Sequence, residues 1–188
     1  MAYRRKAKRR RRSIRPSVSV AGYTRFLSLE NTAPASGATA LVVQDVEGVV
    51  TSEVLTENRK LIRVGGSAMM AVRLNANQHA AAMFCLRAAP QQEDWPSVSD
   101  YDPFREGPGE NDFQGMPSPR PFCRRSFVLA TPAGSGGETE VIQEAHMVRS
   151  KAERLLRPGW KLQAGLYVTG SQGVMVKHAS LLRYVVAG

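Results

Sequence analysis

Residues 1–16, MAYRRKAKRRRRSIRP, have nothing to pack with. They hold Arg4, Arg5, Lys6, Lys8, Arg9, Arg10, Arg11, Arg12 and Arg15, nine cations with no acid among them. Like charges at this density repel one another, and there is almost no apolar surface to offset the entropy of ordering the chain. The segment is expected to be disordered when free. Pro16 closes it, because the residue before a proline is pushed toward extended geometry. The chain therefore divides into an arm, 1–16, and a body, 17–188. Of the 26 Lys and Arg, 17 remain for the body, against all 16 Asp and Glu, a net of +1. A nucleic-acid enzyme spreads its excess charge over the folded surface; here the excess is in the arm. Each of the nine side chains can pair with a phosphate and release condensed counterions, so these are the candidate nucleic-acid-binding residues. The affinity they supply is salt-dependent and nearly blind to sequence. The same block can serve as a nuclear address.

The body has the size and make-up of one globular domain, with 43% hydrophobic and 22% charged residues over the 188-residue chain. It reads as strands. Ser17–Leu29 carries Val18 and Val20 on one parity and Tyr23, Leu27 and Leu29 on the other, which predicts a bulge at Ala21-Gly22. NTAPASG is a loop. Ala40–Val46 and Val49–Leu55 are β-branched runs about Gly48. Lys60–Val64 follows, then Gly65-Gly66 as a turn, then Ala68–Leu74. Phe122–Ala130 precedes a PAGSGG loop. Trp160, Leu162, Ala164, Leu166 and Val168 share one parity, the pattern of a half-buried strand. Val174–Val176 and Ser180–Val186 close the chain. Gln78–Ala89 has helix-friendly composition and stays open between helix and strand. Gln143–Arg157 is helical by propensity, but its apolar spacing favours a strand followed by a polar turn. About eight short strands with Gly/Pro punctuation make an eight-stranded jelly-roll sandwich, all-β, the expected fold class.

Pro90–Pro121 is too long for an ordinary connection. It holds seven acids (Glu93, Asp94, Asp100, Asp102, Glu106, Glu110, Asp112) and seven of the eleven prolines. Its aromatics, Trp95, Tyr101, Phe104 and Phe113, are too many for a solvated linker. It is expected to lie in order on the body or on a neighbouring subunit, as a long inserted loop.

Catalytic patterns are missing. There is no GxxxxGK, GxGxxG or GxSxG. His79, His146 and His178 each stand alone, with no HxH, HxxxH or HExxH spacing, so no metal or catalytic histidine is expected. The loop acids lack DxDxDG spacing. Cys85 and Cys123 form no CxxC and read as buried thiols. No apolar run approaches the roughly 18 residues of a membrane span, and no secretory pattern follows the charges. A non-enzymatic chain without cofactor or membrane insertion is expected.

The layout, an arginine-rich start closed by a proline and then a neutral strand-rich body, resembles the capsid proteins of small icosahedral viruses. In particular it is similar to those of circovirus-like, Rep-encoding circular single-stranded DNA viruses. Glu153–Tyr167 (ERLLRPGWKLQAGLY) resembles their basic strand, Pro-Gly turn and hydrophobic strand, and LLRYVV their closing strand. Trp160 departs from the pattern, standing where an acidic residue is expected. The resemblance implies a T=1 shell of sixty identical subunits, a homo-oligomer with arms inward and long loops outward or bridging. Sixty such arms supply on the order of 540 positive charges, a substantial fraction of a genome of roughly one to two thousand nucleotides at about one charge each. It also implies a virion protein that passes through the host nucleus, with nuclear import machinery and a cell-surface receptor as partners. Plant satellite viruses share the layout with RNA genomes, so the nucleic acid stays open between single-stranded DNA and RNA. The alternative is a basic-tailed β-barrel RNA-binding protein of the ribosome-associated kind. Such proteins carry basic patches on the body too, which a net of +1 disfavours.

Overall fold

A computed structural model describes residues 20–35, 37–46, 59–105, 119–131, 136–147, 154–156 and 159–187. The arm, the run Val49–Leu55 and loop residues 106–118 lie outside the described residues. No helix occurs among the described residues. The strands are β1 (Val20–Thr32), β2 (Thr39–Asp45), β3 (Arg59–Leu74), β4 (His79–Pro90), β5 (Cys123–Ala130), β6 (Thr139–Met147), β7 (Arg154–Leu156), β8 (Trp160–Gly170) and β9 (Met175–Ala187).

One sheet has the order β1-β9-β3-β6, and the short β7 pairs with the first residues of β3. The other has the order β2-β8-β4-β5. Every pairing is antiparallel. With β7 set aside, each successive strand changes sheet except β4 to β5, the order that two Greek keys produce. The jelly-roll expectation holds on strand order alone.

Alternation built the core. Leu27 and Leu29 of β1, Met70, Val72 and Leu74 of β3, and Val176 and Leu182 of β9 face inward from the first sheet. Ala80, Ala82, Phe84 and Leu86 of β4, Phe127 and Leu129 of β5, and Leu162, Ala164, Leu166 and Val168 of β8 meet them from the second. The small alanines of β4 stand among larger side chains, so the two faces interdigitate.

Several local expectations give way. Gly65-Gly66 is no turn: β3 runs straight through, pairing Gly65 with Arg183 and Gly66 with Leu182 and Met147. Ladder hydrogen bonds on both sides outweigh the turn preference of two glycines. The bulge expected at Ala21-Gly22 is absent, since β1 pairs with β9 in unbroken register from Val20 to Thr32. The irregularity falls in β3, where the register against β9 shifts between Leu61 and Arg63. Met175–Val176 and Ser180–Val186 belong to one strand, with no break at Lys177–Ala179, and Val174 precedes it. Gln78–Ala89 is resolved as strand β4, clamped between β5 and β8. β8 is not half-buried: every residue from Leu162 to Val168 is buried, because its second face is also covered.

One polar pair sits inside the apolar core. His178 is 1% exposed and stacks on Phe84 with ring centroids 4.1 Å apart. Neither ring nitrogen has a hydrogen-bond partner, nor has the hydroxyl of Ser180, two residues along the same face. Burial pushes the imidazole down to about 4. A folded-state value below the unfolded one means that protonation favours the unfolded chain. The native state should thus hold full stability above pH 6.5 and lose it as pH falls from 6.5 to 4. The loss amounts to roughly 3 kcal/mol. Denaturation midpoints measured across that range should show the slope, and His178→Met should flatten it.

Candidate functional site

The nine arm cations lie outside the described residues, so what the structure places is the strand they lead into. The arm precedes β1, an edge strand of the first sheet. The second feature singled out in sequence, the inserted loop, is described over residues 91–105 and 119–121. It lies on the outer face of the second sheet.

That face is apolar where the strands alternate away from the core. Met83, Cys85 and Tyr167 are buried there beneath Trp95 and Tyr101, with Leu41, Val43, Val98 and Phe104 at the margin. Trp95 Nε1–H donates to Tyr167 Oη at 2.7 Å. Burial pushes the Tyr167 phenol up, so it stays neutral and able to accept that bond. Gly165 makes room for the indole: a Cβ there would stand 2.7 Å from Trp95 Cζ2. Cys85 is a buried thiol with Sγ 3.8 Å from the Gly165 carbonyl oxygen. Covering each of the two aromatics contributes on the order of 2 kcal/mol.

Arg87 holds the loop. It is the one charge in the apolar run of β4 and is completely buried. Its Nε–H donates to the Pro119 carbonyl at 2.7 Å and an Nη1–H to the Asp94 carbonyl at 3.0 Å. Nη2 pairs with the Glu93 carboxylate, and the guanidinium lies over Trp95, 5.7 Å from the ring centroid. One side chain thus joins the residues that leave the sheet to those that return to it. A planar five-donor fork suits three acceptors and a ring face, which a lysine does not match. Burial pulls the Arg87 guanidinium below its ordinary value, and the Glu93 carboxylate opposes that shift.

Two of the described loop acids shape its turns. Asp100 accepts from the Ser97 hydroxyl at 2.6 Å and closes a turn. Asp102, itself buried, accepts from the Phe104 amide at 3.0 Å and pairs with Arg105 at 3.5 Å. These are side-chain turns of the kind Asp and Ser form. Arg87 was missed by sequence reading; a single cation inside an apolar strand-like run is the signal that could have found it.

The chemistry elsewhere is sparse. Among the described residues no three His, Cys, Asp or Glu side chains are grouped to hold a metal. His79 is exposed at a strand end, 3.5 Å from the Ser171 hydroxyl, and His178 is in the core. A depression of about 430 Å³ at one end of the first sheet mixes Arg73 and Lys177 with Glu138 and Glu140.

No protein-family model and no curated protein matches this sequence. Among solved structures the chain is similar to that of Desmodium yellow mottle tymovirus, at 9% identity and a TM-score of 0.34, covering 91% of this chain and 89% of that one. It is similar to the decameric BFDV capsid protein at 8% identity and a TM-score of 0.30, covering 91% and 99%. Turnip yellow mosaic virus is also similar, at 11% identity and a TM-score of 0.26, covering 87% and 93%. Superpositions this loose carry no weight, and the fold assignment rests on the strand order of the chain itself.

Two substitutions test the loop clamp. Arg87→Ala should destabilise the fold by about 3 kcal/mol, since it strips three acceptors of their donor and leaves Glu93 unpaired. Urea denaturation measures the loss, and Arg87→Lys should recover only part of it. Gly165→Ala should displace Trp95 at a cost of roughly 1–3 kcal/mol, seen as a red shift and weakening of the indole emission attributable to Trp95 when compared with Trp95→Phe.

Proposed function

We propose that the chain is a viral capsid protein that self-assembles into a small closed shell and packages single-stranded nucleic acid through its basic arm. The observation that carries the reading is the division of charge: nine cations in residues 1–16 and a net of +1 in all that follows. A body near neutrality can meet copies of itself without mutual repulsion, while the arm neutralises phosphate. A jelly roll with its loop pinned by Arg87 suits the part of a rigid tile. The candidate nucleic-acid-binding residues are Arg4, Arg5, Lys6, Lys8, Arg9, Arg10, Arg11, Arg12 and Arg15.

The finer reading is a T=1 shell of sixty subunits around single-stranded DNA, as the layout and the segments Glu153–Tyr167 and LLRYVV suggest. The arm then doubles as the nuclear-import signal, the protein passes through the host nucleus into the virion, and a surface loop meets the cell-surface receptor. The role is structural, not catalytic.

The test compares the full chain with a variant lacking residues 1–16. Electron microscopy and nuclease treatment should find closed particles holding protected nucleic acid for the full chain. The shortened chain should stay folded and protect none. Binding by the full chain should weaken steeply with salt and barely distinguish sequences. Protected nucleic acid in the shortened chain, or salt-insensitive and sequence-selective binding, sinks the division of labour. Assay with deoxyribonuclease against ribonuclease separates the two genome types.

A further inference from the structure

The two sheets differ in what covers their outer faces. The outer face of β2-β8-β4-β5 is apolar and roofed by the chain's own loop. The outer face of β1-β9-β3-β6 carries an exposed apolar residue on each of its four strands and is roofed by nothing among the described residues. Five large hydrophobic side chains are exposed among the described residues, and four of them sit on this one face: Phe26 at 68%, Ile142 at 55%, Met175 at 47% and Met69 at 37%.

Register places Phe26, Met69 and Ile142 along one diagonal of the face, with Met175 at its end. Phe26 pairs with Leu181, which pairs onward with Ser67; Met69 stands beside Ala179 and Glu144; Ala71 stands between Lys177 and Ile142. All have the parity opposite to the core residues Leu27, Met70, Val176 and Leu182. Phe26, Met69 and Leu181 line a shallow depression of about 260 Å³.

From these observations we infer that this face is an interface, and that its occupant is a second copy of the chain. The choice of occupant rests on the assembly reading above and on charge. Among the described side chains, the strands of this face carry Arg73, Lys177 and Arg183 against Glu30, Glu140 and Glu144, three of each sign, with Glu138 at the end of the sheet and Lys177 and Glu30 already 3.4 Å apart. A face with both signs set among its apolar residues complements another face like itself. Nucleic acid would require a cationic excess that the described side chains of the face lack. The extent is sufficient. Four strands about 4.8 Å apart, over the nine residues from Thr24 to Thr32, make a face of roughly 500 Å². Two copies then bury roughly 1,000 Å², the threshold for a specific interface. Isolated exposed apolar residues need no explanation, but a contiguous patch marks an interaction site.

The test uses the full chain and three variants: Phe26→Glu and Ile142→Glu on opposite edge strands of the face, and Val128→Glu as a control. Val128 is 70% exposed but belongs to the other sheet. Two variants on the face keep the test alive if one misfolds, which circular dichroism reports. Sedimentation and electron microscopy should find association at least tenfold weaker for Phe26→Glu and Ile142→Glu, and unchanged for Val128→Glu. Particles that form equally well in all four proteins overturn the inference and leave the capsid reading standing. Pairs of the unmodified chain that Phe26→Glu breaks, without closed particles, uphold the inference and overturn the capsid reading. Intact particles whose protected nucleic acid falls with Phe26→Glu make the face a genome contact and overturn the second-copy occupant. A chain monomeric at every concentration overturns both.

Discussion

Strands β4 and β8 are buried on both faces, and much of the molecule follows from that. An antiparallel sheet can leave one face to water, but these two neighbours carry apolar residues on either parity and need a cover on each side. The opposing sheet supplies one. The other must come from the chain itself, and the segment between β4 and β5 provides it with Trp95, Tyr101 and Phe104. What looks like two layers is locally three. Gly165 keeps the third close, because any side chain there would push the indole off the sheet.

A third layer made of loop brings backbone carbonyls into a dry place. Those of Asp94 and Pro119 find their donor in Arg87, which is buried for the same reason. A charge so placed is tolerable only with its hydrogen bonds met and a counter-charge at hand, and Glu93 supplies the latter. The clamp therefore does more for the specificity of the loop path than a bare count of its bonds conveys. It fixes where the excursion leaves and where it returns, whatever lies between.

The first sheet solves the opposite problem. Its inner face accepts His178 and Ser180 without hydrogen-bond partners, and its outer face leaves Phe26, Met69, Ile142 and Met175 in water. Both features lower the stability of an isolated subunit. Association of the kind inferred above would cover apolar surface that folding left open. On that view the loop-covered face and the open face are two treatments of one requirement, met once within the chain and once between chains.

Much of this was legible in sequence. The partition of charge into a basic arm and a near-neutral body is read from the residues alone. The alternation in β8, the β-branched runs and the Gly/Pro punctuation determined an all-β sandwich, because period two is a local property of the chain. Trp95 and Tyr101 announced a loop with something to bury. What lay beyond sequence were the places where a local preference met a stronger distant partner. Gly65-Gly66 has turn chemistry and Gln78–Ala89 has helical composition, yet both became strands between two others. Propensity is worth fractions of a kcal/mol per residue. Pairing on both edges and burial on both faces add up to far more. Arg87 stands out in sequence only as a lone cation in an apolar run, and its role emerges when β4 is folded beside a loop that begins and ends above it. Composition and periodicity determined the class of fold; the third layer, its clamp and the face that the described residues leave open were decided only when segments far apart in the chain came to share the same surface.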